Sequence, residues 1–282
     1  MTKERKKRLG QFFTPPAIVE FMLELVGFDP MWKVIDPACG EGIFLLKCLE
    51  RGCGAVAGVD IDPEAIERAR ELLKGFEGRF KLFLQDGLMP IEDDNAFWRG
   101  NYDLVIGNPP FSFSKWRIQD PRVLDRFELS KETVRVEEVG TLFKITVERR
   151  RKKTSVPIEV LFLERFAQLC RPGGKVCIIL PVGVLNNEKL RYVREWLLKN
   201  FTVHGVISLP KNAFKGTGTS AVTSVLYFTK SPPPKNHEIL FADLEQLDIS
   251  PEALLGDNPT LKAIGKALRE RFEEISKRHQ AQ

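Results

Sequence analysis

Three carboxylates and one amide close successive β-rich runs of this chain, and their types suit them for chemistry at strand ends. Asp36 opens a small-residue turn, Asp36-Pro37-Ala38-Cys39-Gly40-Glu41-Gly42, in which Gly40 and Gly42 permit a sharp bend and close approach of a ligand to the backbone. Asp60, followed by Ile61, ends the next run, where a carboxylate accepts from both hydroxyls of a ribose. Asp86 and Gly87 end the third, and there a carboxylate can accept from an adenine amino group. Any one of these acids alone would read as a helix cap or a turn carboxylate. Three at consecutive strand ends converge on one crevice, because ligands of open α/β sheets bind outside the carboxyl ends of the strands. Leu45 stands where a dinucleotide fingerprint has its third glycine, and Asp36 would repel a pyrophosphate. The acid favours a ligand with a cationic end. S-adenosylmethionine meets all three demands, with its ammonium and sulfonium toward Asp36, its ribose toward Asp60 and its adenine toward Asp86.

A fourth run leads into Asn108-Pro109-Pro110-Phe111. Two prolines stiffen the backbone and remove two N–H donors, leaving carbonyls on a rigid turn. The Asn108 side chain and the Pro109 carbonyl are two neighbouring acceptors that can grip both protons of an aromatic amine. Held so, the nitrogen lone pair turns out of conjugation and toward an electrophilic methyl. Phe111 offers a flat face for a base, a stack worth about 1–3 kcal/mol.

These residues need a scaffold of alternating elements, and the pattern supplies one. Short β-rich runs fall at 33–36, 55–60, 80–85, 103–107, 175–180, 203–208 and 222–229, with helical patterns at 16–26, 42–51 and 63–73 between the early ones. Strands separated by helices predict an α/β, Rossmann-like, mostly parallel seven-stranded sheet with helices on both faces. The last two runs lack a long helix between them, which predicts an antiparallel last strand. Residues 112–157 form a polar insertion with a basic run at 149–153, read as a solvated loop or exposed hairpin or as a phosphate contact. Ser231-Pro232-Pro233-Pro234 is a stiff extended linker. Beyond it, 238–241 suits a short strand, and Leu261, Ile264, Leu268, Phe272 and Ile275 follow at helical spacing.

In motif order the chain resembles the adenine-N6 DNA methyltransferases of the gamma class, and among them the modification subunits of Type I restriction-modification systems. The resemblance spans residues 9–230. It begins at Leu9-Gly10-Gln11-Phe12-Phe13-Thr14-Pro15-Pro16, like the family's cofactor-capping motif, and implies that Phe13 and Thr14 contact S-adenosylmethionine. It runs through the Asp36 turn (with Ala38, Gly40 and Gly42), Asp60, Asp86 and Asn108-Pro109-Pro110-Phe111. Further matches are 159–169 with Pro172-Gly173-Gly174, then Leu180-Pro181-Val182-Gly183-Val184-Leu185, and Phe214-Lys215-Gly216-Thr217-Gly218-Thr219. The resemblance implies methyl transfer to the exocyclic amine of a flipped adenine, with Phe214 against the base opposite Phe111. Guanine-N2 methyltransferases of ribosomal RNA and protein glutamine methyltransferases use a similar Asn-Pro-Pro-aromatic turn. A non-enzymatic DNA-binding scaffold subunit is the reading from another class.

Composition bounds the rest. In 282 residues, 43 Lys plus Arg oppose 38 Asp plus Glu for a net charge of +5, compatible with a polyanionic partner such as DNA. No apolar run approaches a membrane span, and the basic stretch at 3–8 has no apolar region behind it, so a cytoplasmic protein is expected. Cys39, Cys48, Cys53, Cys170 and Cys177 contain no CxxC, and His204, His237 and His279 are scattered, so no metal site is expected. The domain reading is a catalytic unit at 1–230 and a short helical tail at 235–282. That tail is small for reading base edges, so the sequence predicts a DNA-specificity subunit or a separate target recognition protein as partner.

Overall fold

A computed structural model describes residues 13–111, 116–139, 144–211, 213–214, 222–247 and 249–280. Leu9 to Phe12 of the first motif and Lys215 to Thr219 of the last lie outside the described residues. The chain opens with α1 (Pro16–Val26), whose first turn carries proline, where the missing N–H costs nothing. It ends on Gly27 in the left-handed conformation, with the Gly27 and Phe28 N–H groups closing back on Glu24 and Leu23. The alternation follows: β1 (Lys33–Asp36), α2 (Ile43–Glu50), β2 (Ala55–Asp60), α3 (Pro63–Leu72), β3 (Phe80–Leu84) and β4 (Tyr102–Gly107). Asp62 caps α3 by accepting from the Glu64 N–H at 3.1 Å, with Pro63 at the first helical position.

The insertion holds β5 (Arg117–Ile118), α4 (Pro121–Leu124), β6 (Lys131–Val139), β7 (Lys144–Lys152) and β8 (Val156–Pro157). β6 and β7 pair as an antiparallel ribbon, and β5 pairs with β8 in a second two-stranded sheet, so the basic run sits on a hairpin strand. Thereafter come α5 (Ile158–Leu169), β9 (Cys170–Pro181), α6 (Val182–Asn186), α7 (Arg191–Asn200), β10 (Thr202–Ser208) and β11 (Thr223–Thr229). The chain continues through β12 (Leu240–Asp243), α8 (Pro251–Leu255) and α9 (Pro259–Gln280).

The central sheet has the order β12-β10-β11-β9-β4-β1-β2-β3. All pairs are parallel except the two that β11 makes, with β9 and with β10. The α/β parallel architecture with an antiparallel late strand is as the sequence predicts. The strand count is corrected from seven to eight, because β12 joins the sheet alongside β10. Each face of the sheet buries its own core. One is filled from α1, α2 and α9, and the other from α5 and α7. In the first, Leu261 and Phe272 of α9 are buried, with Ile264 and Leu268 packed against it, and Ile275 is buried as well. Among the described residues no helix is long and apolar enough to cross a membrane. Nor do three His, Cys, Asp or Glu side chains among them gather where they could hold a metal ion. All five cysteines are free and buried.

Candidate active site

Strand order reverses between β1 and β4, which lie side by side while β2 and β3 extend one way and β9 the other. Asp36 and Asn108 therefore leave neighbouring strands at the switch point, where such sheets bind ligands. The carboxylate of Asp36 is 1% exposed, and its Oδ1 accepts from the Ala38 N–H at 2.9 Å. Burial pushes its pKa up to about 8, against the lowering effect of that hydrogen bond. Buried and ready to ionise, it suits a cationic group placed above the turn.

Asp60 is 6% exposed and has a second duty. Its Oδ2 accepts from the Gly40 N–H at 2.8 Å and its Oδ1 from the Asp62 N–H at 2.9 Å. The carboxylate thus ties the first turn to the second, and burial raises its pKa. Gly40 (φ +52°) and Gly42 (φ +89°) both occupy the left-handed region. A Cβ on Gly40 would meet nothing within 4 Å, which leaves its backbone open to a ligand, whereas one on Gly42 would sit 3.1 Å from the Ala69 Cβ. Gly42 serves the packing of α2 on α3.

The third strand end is pressed onto the first. A Cβ on Gly87 would overlap the Pro37 carbonyl oxygen, so only glycine brings these loops together. Asp86 Oδ1 accepts from the Leu88 N–H at 2.9 Å. From α5, the buried Arg165 donates to the carbonyls of Gly87 at 3.0 Å and Met89 at 2.6 Å, and burial lowers its pKa to about 10.

A cavity of about 370 Å³ joins these groups, within the range of small-molecule sites. Of the residues singled out in the sequence, it is lined by Phe13, Thr14, Asp36, Ala38, Gly40, Asp60, Ile61, Asp86, Gly87, Asn108 and Pro110. Gly42, Pro109, Phe111 and Phe214 do not line it. The two rings read as stacking faces are packed inside the protein, Phe111 at 1% and Phe214 at 2% exposure, so neither offers a free face here. Sequence reasoning missed the apolar wall formed by Trp116, Ile118, Ile158 and Phe162. Trp116 and Ile118 lie in the polar insertion, whose edges fold back as the β5–β8 clasp, where the Trp116 carbonyl accepts from the Ile158 N–H; Ile158 and Phe162 belong to α5.

The deciding group is Asn108. Its Nδ2 donates to Thr14 Oγ1 at 3.1 Å, while its buried Oδ1 has no partner among the described residues. A buried, unsatisfied acceptor in a lined cavity is a place for a donor to bind. Residues 1–254 match the model of the N-6 DNA methylase family. The chain belongs to this family. Among curated relatives, it is 24% identical over 270 residues to the Type I restriction enzyme MjaIX methylase subunit of Methanocaldococcus jannaschii, covering 87% of this chain and 42% of that one. It is 26% identical to the Type II restriction enzyme and methyltransferase RM.BcgI of Heyndrickxia coagulans, covering 84% of this chain and 34% of that one. The chain thus spans between a third and a half of these curated relatives. A solved Listeria monocytogenes protein, assigned to the class I S-adenosylmethionine-dependent methyltransferases, superposes with a TM-score of 0.67 at 23% identity, covering 92% of this chain and 71% of that one. The fold of this N-6 DNA methylase family member is therefore that of the class I methyltransferases.

Proposed function

We propose that the chain carries the catalytic site of an S-adenosylmethionine-dependent DNA methyltransferase acting on the N6 amine of adenine. The observation that carries this reading is the unpartnered Asn108 Oδ1 at the end of β4, beside the buried Asp36 on β1. The residues present fit the cofactor: a buried carboxylate for its ammonium, Asp60 at the edge for its ribose, Asp86 for its adenine, and Gly40 and Ile61 on the cavity lining. When bound, S-adenosylmethionine supplies an electrophilic methyl. The chain's own work is to bind and orient. Asn108 Oδ1 accepts one proton of the amine, with the Pro109 carbonyl as the second acceptor in this reading. Positioning of the amine then carries the catalysis. In a duplex the amine is stacked away, so the base is flipped out at a cost of about a few kcal/mol. Roles for Phe111 and Phe214 as walls for that base require the two rings to be uncovered as it enters.

The family and the relatives named as methyltransferases favour DNA over ribosomal RNA or protein as substrate. Relatives named as methylase subunits of Type I enzymes support a further subunit as partner, which we read as a DNA-specificity subunit, and the cytoplasm as the place of action is part of this same proposal. The test is labelled cofactor offered with DNA, RNA and protein substrates, with and without that partner. Asn108→Ala is expected to lower transfer to DNA by about 10²–10³-fold while calorimetry shows cofactor binding retained. Transfer at the wild-type rate by Asn108→Ala would sink the assignment.

A further inference from the structure

Asn108 is held from a distant part of the chain. The Thr14 hydroxyl that accepts from its Nδ2 lies 94 residues earlier in the sequence and is 3% exposed. An amide presents an acceptor and a donor of nearly the same shape, and only one of them can face the cavity. The amine of the function proposed above brings donors, so it needs the Oδ1 end. That end is available when the NH₂ end has an acceptor elsewhere, because a buried N–H without one is costly. Thr14 supplies that acceptor and keeps its own proton to donate.

The hydroxyl is also fixed in place. Thr14 precedes Pro15, whose carbonyl accepts the Ile18 and Val19 N–H groups at 3.0 and 3.3 Å, and Pro16 opens α1. Nine of the eleven residues of α1 are buried, so Thr14 rides on a helix anchored in the core. Both prolines lock their own φ angles, which stiffens the backbone joining Thr14 to the helix. Family resemblance implies that Thr14 contacts the cofactor, but in the structure its hydroxyl accepts from the Asn108 amide.

We propose that Thr14 is a positioning residue for methyl transfer, its hydroxyl holding the Asn108 amide with Oδ1 turned into the cavity. The inference rests on the proposed function, and the experiment separates the two. Thr14→Val keeps the shape and removes the acceptor, Thr14→Ser keeps the acceptor, and Thr14→Ala replaces the valine form if that form does not fold. In Thr14→Val, kcat at saturating cofactor is expected to fall about 10- to 100-fold, with the cofactor Kd from calorimetry changed less than about twofold. Thr14→Ser is expected to retain kcat near the wild-type value. A rise in cofactor Kd as large as the fall in kcat overturns the proposal in favour of direct cofactor contact. An unchanged kcat in Thr14→Val, or an equal loss in Thr14→Ser, overturns it as well. If the wild type transfers no methyl to DNA, the proposed function fails, and the Asn108 side-chain amide signals in NMR decide the inference. Protection from exchange in wild type and Thr14→Ser but not in Thr14→Val supports it, and an unprotected wild-type amide overturns it.

Discussion

Asp36 shows how burial turns a common residue into a selective one. In water a carboxylate ionises near 3.8, but in this turn burial holds the proton up to about 8. The raised value costs stability as pH rises from about 4 toward about 8, because the unfolded chain gives up its proton while the folded one keeps it. A ligand with a cationic end reverses the preference and favours the anion. Binding of S-adenosylmethionine at pH 7 should therefore expel about one proton, and affinity should climb as pH approaches 8. Calorimetry in buffers of different ionisation enthalpy counts that proton; Asp36→Asn should abolish both the release and the climb. No proton release from the wild type would argue against a cation above Asp36. At this scale much was legible, since Asp36, Asp60, Asp86 and Asn108 stand at strand ends that local patterning marks. The tie that Asp60 makes to the first turn was not legible, because the Gly40 N–H becomes its neighbour only when β1 and β2 pair, whereas the Asp62 N–H two residues on is a local turn contact.

Between elements, the contacts that shape the cavity run from loop to loop and from helix to loop. Gly87 against the Pro37 carbonyl, and Arg165 of α5 against the carbonyls of Gly87 and Met89, fix the third strand end on the first. Gly87→Ala should force the loops apart, destabilising the protein by about 1–3 kcal/mol and weakening cofactor binding. Chemical denaturation and calorimetry on the same sample check the two effects, and unchanged values for both would refute the account. The hairpin gives the opposite lesson. Its basic run was open to a solvated or a phosphate-binding role, and in the structure Arg150 pairs with Glu128, Arg151 with Glu132 and Lys152 with Asp125. Lys153 lies over the Tyr192 ring, and burial lowers its pKa to about 8. Sequence shows the charges of such a run but not the acids that fold back beside it. Such exposed pairs contribute little stability, but they leave less positive charge for a phosphate.

For the molecule as a whole, the segment after the proline linker belongs to the sheet and its core. β12 adds to β10, and α9 packs along α1 with Phe272 set against His204 and Tyr227 and close over Gly205. Phe272→Ala should cost about 3–5 kcal/mol, read as a lowered denaturation midpoint. A cost below about 1 kcal/mol would mean that α9 is not part of the cooperative core. By itself the sequence determined the α/β class, the cavity's acids, the Asn-Pro-Pro-Phe turn and the helical stripe of α9. Those features are written in local periods of 2 and 3.6 residues and in the residues that close strands. Only the tertiary structure decided that β1 and β4 are neighbours, that Phe111 and Phe214 are packed away, and that Thr14 holds Asn108. Each of these depends on groups far apart in the chain being brought within a few ångströms, and no local pattern records which strand will lie beside which.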